Sequence, residues 1–414
     1  MSQLLANDYK VLYESSDPAN IYAYTPGVCR LDSGRLVATM DQGGPGIASL
    51  DGPKGFRGEG KNAWQGIVWT SDDHGETWVE RTRFPFMHAR PFAAGDRVYV
   101  LGHDADLRII TSDDAGETWS EPTELTQDQH WHQSACSVIH ANDAVYLVME
   151  RRTRFDHRGW PVSELAPVLM KGPDAADLTD PASWTFASEL SFYEAEQLVG
   201  SIPIPFFNVG RVNERASMNP VGWLETNVVQ IHDPSHIWHD PAGKTFHLWM
   251  RAHTGGTGFA CLAKVVEDDG GQMTTLLEQT PAGDSFLFVP CPGGQMRFHI
   301  LYDEPTKLYW LLGSVATDST CRPDRLPEKR YNLPNNERHI QGLHYSTNCF
   351  DWIPAGIVAK GNTPGESRHY ASMVIDGDDL HVLSRSGDYR AKSAHDGNLI
   401  TVHTVQHFRD LILI

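Results

Sequence analysis

Residues 71–78 read SDDHGETW and residues 112–119 read SDDAGETW. The two share the pattern S-x-D-x-G-x-T-W, carried by Ser71, Asp73, Gly75, Thr77 and Trp78 and again by Ser112, Asp114, Gly116, Thr118 and Trp119. Each residue type has a task. Short Ser and Asp side chains close a turn on their own backbone. Gly takes a positive φ, Thr opens the next strand, and Trp packs against a neighbouring unit. Looser versions occur at 346–352 (STNCFDW) and 180–184 (DPASW).

Outward from this repeat the chain alternates short apolar runs with turns: RLVATM, GIVWTS, DRVYVLG, LRIITS, DAVYLVME, KTFHLWM, KLYWLLGS and DLHVLS. That pattern reads as strands, and long helical periodicity is nearly absent. Four-stranded antiparallel sheets repeated around a channel are the natural architecture, an all-β β-propeller forming one domain over 1–414. Innermost strands fall near 24–30, 88–94, 132–139, 228–237, 297–302 and 369–375. The third and fourth are about 100 residues apart, room for another blade or for a long insertion over one face. YKVLYES, near the N-terminus, is placed to complete the last blade and close the ring. The 36 Gly and 12 Trp suit repeated turns and inter-blade packing.

Lys plus Arg total 34 against 53 Asp plus Glu, a formal net charge of −19. That balance excludes a general nucleic-acid binder and a basic membrane-surface protein, and no apolar run is long enough to span a bilayer. The opening MSQLLANDYKVLYESSD lacks the apolar segment of an intact signal peptide, so the expected location is the cytoplasm or, after removal of a leader, the periplasm or exterior.

The starts of the inner strands are rich in His, Arg and Tyr: Tyr24, His88, Arg90, His130, His132, His232, Arg297, Arg368, His369 and Tyr370. Placed around one mouth of a propeller, they account for many of the 20 His and suit an anionic ligand, because Arg offers a planar fork to a carboxylate. Arg211, Arg215 and Arg251 are further candidate guanidiniums. The six Cys form no CxxC pair. His253 precedes Cys261 by eight residues and Cys291 precedes His299 by eight, a mirrored set that could hold a structural zinc or consist of ordinary buried side chains.

The repeat resembles the Asp-box of sialidase-like β-propellers, where it marks the turn between the third and fourth strands of a blade. Ordinary sialidases of that group carry a first-blade Arg in a Phe-Arg-Ile-Pro-like motif, whereas this chain has Tyr24-Thr25-Pro26-Gly27. YTPGVCRLDSGRLVATMDQGGPG, HWHQSACSVI and GWLETNVVQIHDPSHIWHDPAGKTFHLWMR are closer in style to propellers that act on rhamnose-uronate glycans: ulvan lyases, rhamnosyl-glucuronate lyases and a related α-L-rhamnosidase family. The resemblance implies seven blades, with six as the alternative. It implies a zinc on His253, Cys261, Cys291 and His299, and no organic cofactor.

It further implies β-elimination at C4 of a uronate in a glycan substrate, with His132 as base, Tyr193 as acid and Arg211 neutralising the carboxylate. His88, Arg90, His130, Arg215, His232, Arg297, Arg368, His369 and Tyr370 would then line the substrate cleft. The alternative is an exo-acting glycoside hydrolase, sialidase-like or an α-L-rhamnosidase, which needs an acid and a nucleophile or base. Its candidates are Asp41, Asp233 and Glu225. A third reading is a non-catalytic glycan-binding propeller.

Overall fold

The computed structural model describes residues 4–57, 62–132, 134, 136–157, 160–199, 221–319, 321, 325–326 and 336–413. Six antiparallel sheets stand around a common axis, each the blade of a propeller. Blade 1 is built from Tyr22–Arg30, Leu36–Gly43, Asn62–Ser71 and Val79–Phe84, and blade 2 from Met87–Ala94, Arg97–Asp104, Asp106–Ser112 and Thr123–Glu124. Blade 3 has a split inner strand, Trp131–His132 and Val138–Ala141, followed by Ala144–Arg152, Leu165–Pro173 and Thr185–Phe186. Blade 4 runs Gly222–Val229, Thr245–His253, Phe259–Glu267 and Met273–Leu276, and blade 5 runs His299–Asp303, Leu308–Ser314, Ile340–Ser346 and Ile353–Lys360. Blade 6 takes Arg368–Asp376, Asp379–Ser386 and Leu399–Val405 from the C-terminal end of the chain and its outer strand, Lys10–Glu14, from the N-terminal end. The ring therefore closes as the sequence suggested.

The expected seventh blade is corrected to six. Among the described residues, the interval between the inner strands of blades 3 and 4 holds the remaining strands of blade 3 and the helix Phe192–Val199, with blade 4 starting at Gly222. Its extra length includes the 153–164 connection, which brings Trp160 to the axial cavity described below. No described helix is long and apolar enough to cross a membrane.

Both Asp-boxes sit between third and fourth strands, and their bonds repeat closely. Ser71 and Ser112 donate Oγ–H to the Asp two residues on (2.9 and 2.8 Å) and accept from the Gly N–H (2.9 and 2.8 Å). Asp73 and Asp114 each accept from both the backbone N–H (2.8 Å) and the hydroxyl (2.6 Å) of the Thr four residues on. Gly75 and Gly116 hold φ of 78° and 89°, conformations that an L side chain disfavours. The Trp indoles donate back to these glycines (3.1 and 3.0 Å) and pack on clusters shared with the neighbouring blade.

Apolar clusters fill every inter-blade interface. One joins blades 3 and 4 around Trp223, another blades 4 and 5 around Trp249, and a third blades 5 and 6 around Trp310. All three indoles are fully buried. Such large side chains dominate core energetics through apolar area, and here they hold sheet against sheet so that the axis-facing residues keep a fixed geometry.

Candidate active site

The inner hairpins of blades 1, 2, 4 and 6 share one irregularity. Tyr24 pairs with Asp41 and Gly27 with Thr39; Met87 pairs with His103 and Arg90 with Leu101. Leu224 pairs with Arg251 and Asn227 with Trp249; His369 pairs with Arg385 and Ser372 with Leu383. In each case the inner strand advances three residues while its partner advances two, the signature of a β-bulge. The first bulged residue is Thr25, His88, Glu225 or Tyr370, and all four line one axial cavity of about 370 Å³. His88, Glu225 and Tyr370 have φ of 55°, 61° and 49°. Left-handed backbone at three non-glycine residues is strain retained where the surrounding sheets over-determine it, and such strain clusters at functional sites.

Across from each bulge the second strand supplies a further polar residue: Asp41, His103, Arg251 or Arg385. Blade 3 does the same with Glu150 opposite His132. Arg338 enters from the segment before the third strand of blade 5. Tyr24, Trp64, Trp160, His253 and His395 complete the wall.

At one side of the cavity, Arg251 Nη1 donates to the Tyr370 hydroxyl (2.5 Å) and to Glu225 Oε2 (3.2 Å). Tyr370 and Glu225 thus share one guanidinium nitrogen, and Ser134 Oγ stands 3.5 Å from the other Glu225 oxygen. Burial raises the Tyr370 pKa. Arg338 and Arg385 flank the same ring, 5.6 and 5.3 Å from its centroid, and Arg385 also lies over the Tyr24 ring at 4.2 Å. Burial, together with Arg385 and Arg251, pushes Arg338 down to about 10, and burial also lowers Arg385. Arg385 donates to the His395 carbonyl, while its Nε has no partner. Arg338 and Arg385, desolvated and close to Arg251, give this side a cationic character that suits an anionic group.

Behind the cavity wall, next to His88 and paired across the hairpin with Tyr24, Asp41 is fully buried. Its Oδ1 accepts from the His88 backbone N–H (2.9 Å), and its Oδ2 has no partner. Burial pushes its pKa from 3.8 to about 7, against the pull of that N–H and of Arg385. A carboxyl that stays protonated near neutral pH can act as a general acid.

The structure brings His88, His132 and Tyr370 of the expected cleft together with Glu225, Arg251, His253 and Tyr24. It disperses the rest. Arg90 is buried, with Nη2 donating to the Ser134 carbonyl (3.3 Å), and Arg297 is buried on the Ala371 carbonyl and Ser372 Oγ (2.6 and 2.8 Å). Arg368 is held by the Ser367 and Gly387 carbonyls, and His369 sits behind Arg338 (3.1 Å). His130 is exposed beside Phe155. His232 faces a different axial cavity, stacked against Tyr302. Asp233 caps an exposed turn through Ser235. Tyr193 lies exposed on the helix Phe192–Val199 under Arg154 (4.3 Å) and is not a cavity residue. Arg211 and Arg215 fall outside the described residues.

The expected zinc ligands are not assembled. His253 lines the cavity of Tyr370, whereas His299 lines the cavity of His232 and accepts from the Met373 N–H (2.9 Å). Cys261 belongs to the cluster between blades 3 and 4, and Cys291 to the cluster between blades 4 and 5. Among the described residues no three His, Cys, Asp or Glu side chains converge so as to hold a metal, so this donor set does not fit a zinc.

The residues missed by sequence reasoning, Arg338, Arg385, Trp64, Trp160, His395 and Glu150, include two with a readable signal. Glu150 and Arg385 close mainly apolar runs within second strands, in VYLVME and LHVLSR, as Asp41 and Arg251 do in LVATMD and FHLWMR.

No family model and no curated protein matches this chain in sequence. Solved structures do match it in fold. Trypanosoma rangeli sialidase in complex with 2,3-difluorosialic acid, a covalent intermediate, superposes with a TM-score of 0.55 at 12% identity, covering 98% of this chain and 59% of that one. A Dyadobacter fermentans protein of unknown function gives 0.54 at 12% identity, covering 96% and 98%. A Penicillium chrysogenum α-L-arabinanase complexed with arabinobiose gives 0.50 at 10% identity, covering 98% and 99%. At these identities the likeness is one of fold: this chain is a six-bladed, sialidase-like β-propeller.

Proposed function

We propose that this protein is a retaining exo-glycoside hydrolase acting on glycans that end in a carboxylated sugar. The observation that carries the reading is the Arg251–Tyr370–Glu225 cluster, flanked by Arg338 and Arg385 in one cavity. The glycoside hydrolases and sialidase named above share the fold, which adds support. The hydrolase reading replaces β-elimination as the preferred one, because Tyr193 lies away from His132 on an exposed helix.

The three guanidiniums take the substrate carboxylate. Tyr370 attacks the anomeric carbon and passes its proton to Glu225. A phenol paired with a base suits this task, since a carboxylate nucleophile would be repelled by the substrate's own charge. Asp41 gives its proton to the departing glycosidic oxygen. In the second step Asp41 takes a proton from water, which attacks the anomeric carbon, and Glu225 returns the proton to Tyr370. Arg251 donates to both Tyr370 and Glu225 throughout and so fixes their mutual geometry.

The test is a panel of umbelliferyl glycosides of N-acetylneuraminic acid, a hexuronic acid and L-arabinofuranose. Turnover of a carboxylated member is expected, with Tyr370→Phe lowering kcat by roughly a thousandfold or more and leaving the far-ultraviolet spectrum unchanged. Turnover of the neutral arabinoside alone, or a fully active Tyr370→Phe variant, would overturn the reading. Ultraviolet absorbance from a C4=C5 double bond in the product would restore the lyase.

A further inference from the structure

His132 was expected as the proton-abstracting base, and the hydrolase mechanism does not use it. It nevertheless lines the cavity, with only a tenth of its side chain exposed. Its Nδ1 stands 3.4 Å from Glu150 Oε2. Glu150 is completely buried and is the cross-strand partner of His132. Its other oxygen accepts twice from Thr226, from the backbone N–H (3.0 Å) and from Oγ1 (2.8 Å). Thr226 directly follows the left-handed Glu225. One carboxylate thus holds both the imidazole and the peptide next to the proposed base.

An ionised carboxylate only accepts hydrogen bonds. With Glu150 as the acceptor, the proton of this hydrogen bond is on His132 Nδ1, and Nε2 is the ring nitrogen left for a ligand. The His132 ring stands 5.4 Å from His88, whose N–H holds Asp41. It also meets Trp160 edge-on at 5.5 Å, and Trp160 is half exposed at 47%. Asp41, as the proton donor, marks the leaving-group side of the cavity; His132 and Trp160 reach that side through His88, Arg251 and Arg338 stand at Tyr370, and Arg385 lies between the two over Tyr24.

We infer that Glu150 is a positioning residue that fixes the His132 imidazole as a hydrogen-bond acceptor for a hydroxyl of the leaving group, which is a sugar resting on Trp160. The inference deepens the hydrolase reading and rests on it. It specifies a glycan in which the terminal carboxylated sugar is joined to a second, hydroxyl-bearing sugar.

The experiment compares two substrates sharing the carboxylated sugar turned over in the panel above, one with an umbelliferyl leaving group and one with a lactose leaving group. The umbelliferyl group presents no sugar hydroxyl. Glu150→Gln keeps an oxygen for Thr226 but turns an amide NH2 toward His132 and reverses its tautomer. Glu150→Gln and His132→Ala are each expected to lower kcat/KM for the lactoside roughly five- to a hundredfold, the cost of leaving a desolvated hydroxyl without its partner. The aryl glycoside should change less than about threefold. Thr226→Val, which loosens the Glu225 peptide, should slow both substrates alike. Equal losses on both substrates for Glu150→Gln and His132→Ala, or no loss on either, would overturn the inference and leave the hydrolase reading standing. Absence of turnover of every panel glycoside would instead overturn the hydrolase reading, and this inference with it.

Discussion

Replacing Asp41 by Asn should make the protein more stable at alkaline pH and less stable at acid pH. The carboxyl's pKa is raised by burial from 3.8 to about 7, so the folded state holds the proton more tightly than the unfolded chain. For this group, wild-type stability is greatest below about pH 4, falls as the pH climbs from 4 to 7, and is level above 7. The span from 3.8 to about 7, at about 1.4 kcal/mol per pH unit, makes an ionised Asp41 a burden of about 4 kcal/mol at pH 8. Asn removes that burden. Its oxygen can still accept the His88 N–H, while its NH2 takes the place of an Oδ2 that has no partner. Leaving that amide unpaired costs roughly 1–3 kcal/mol at every pH. The variant should therefore gain roughly 2 kcal/mol at pH 8 and lose about as much near pH 4, with the curves crossing between about pH 5 and 6.

Urea unfolding of both proteins at a series of pH values reads this directly. A stability difference independent of pH would refute the argument, because it would mean that Asp41 does not titrate between its unfolded and folded values. Activity carries the complementary signature. A general acid works while protonated, so wild-type turnover of a sugar-linked substrate should fall as the pH rises through about 7. The more stable Asp41→Asn variant should lack that limb because the acid is gone.

Arg385→Met should raise KM for a carboxylated substrate roughly ten- to a hundredfold with a smaller effect on kcat, because it removes a contact to the bound carboxylate; Michaelis kinetics on the umbelliferyl substrate test this. Asp114→Ala should lower the melting temperature at neutral pH. The Asp114 carboxyl is held down to about 2 by the Thr118 hydroxyl and N–H and by Ser112. Its contribution is present above about pH 4 and is lost as the pH falls through 2, so the two melting temperatures should converge in acid. Trp310→Ala should cost about 3–5 kcal/mol in urea unfolding by emptying the fully buried centre of the interface between blades 5 and 6.

The repeat in the sequence was local, and so it was legible. Ser71 to Trp78 spans one turn whose bonds join residues two to four apart, and the motif fixes the strand order around it. Ring closure was also visible, because a strand pattern at the N-terminus lacked a hairpin partner of its own. Blade number was less visible, since a long interval reads alike whether it holds a sheet or a helix with loops. The Phe192–Val199 helix carries a capping box, with Ser191 and Glu194 bonding reciprocally, that only a closer search of the interval would have picked out. The first blade has no arginine in the Tyr24–Gly27 stretch, but position along the chain does not decide which blade fills a given space: Arg385 reaches over Tyr24 from blade 6.

The bulges explain why the site was only half legible. A bulge inserts one residue into the inner strand and shifts the alternation beyond it by one position, so it blurs the period-2 pattern that marks the strand. Its cross-strand partner does leave a trace. In LVATMD, VYVLGH, VYLVME, FHLWMR and LHVLSR a mainly apolar run of the second strand gives way to Asp41, His103, Glu150, Arg251 or Arg385. A charged or polar group there would be a burial penalty in a plain sheet. In this ring each of those side chains has company across the hairpin or across the axis: the His88 N–H for Asp41, the His88 imidazole for His103, His132 and Thr226 for Glu150, Glu225 and Tyr370 for Arg251, and Tyr24 and Tyr370 for Arg385. In blades 1, 2, 4 and 6 the chemistry of the mouth is therefore set largely by two register positions, the bulge and the residue across from it. Exchanging residues at those positions changes what the cavity binds while the inter-blade clusters that hold the ring together stay as they are. Local cationic character can arise this way in a protein of net charge −19, because it needs three side chains aimed at one point rather than a basic surface.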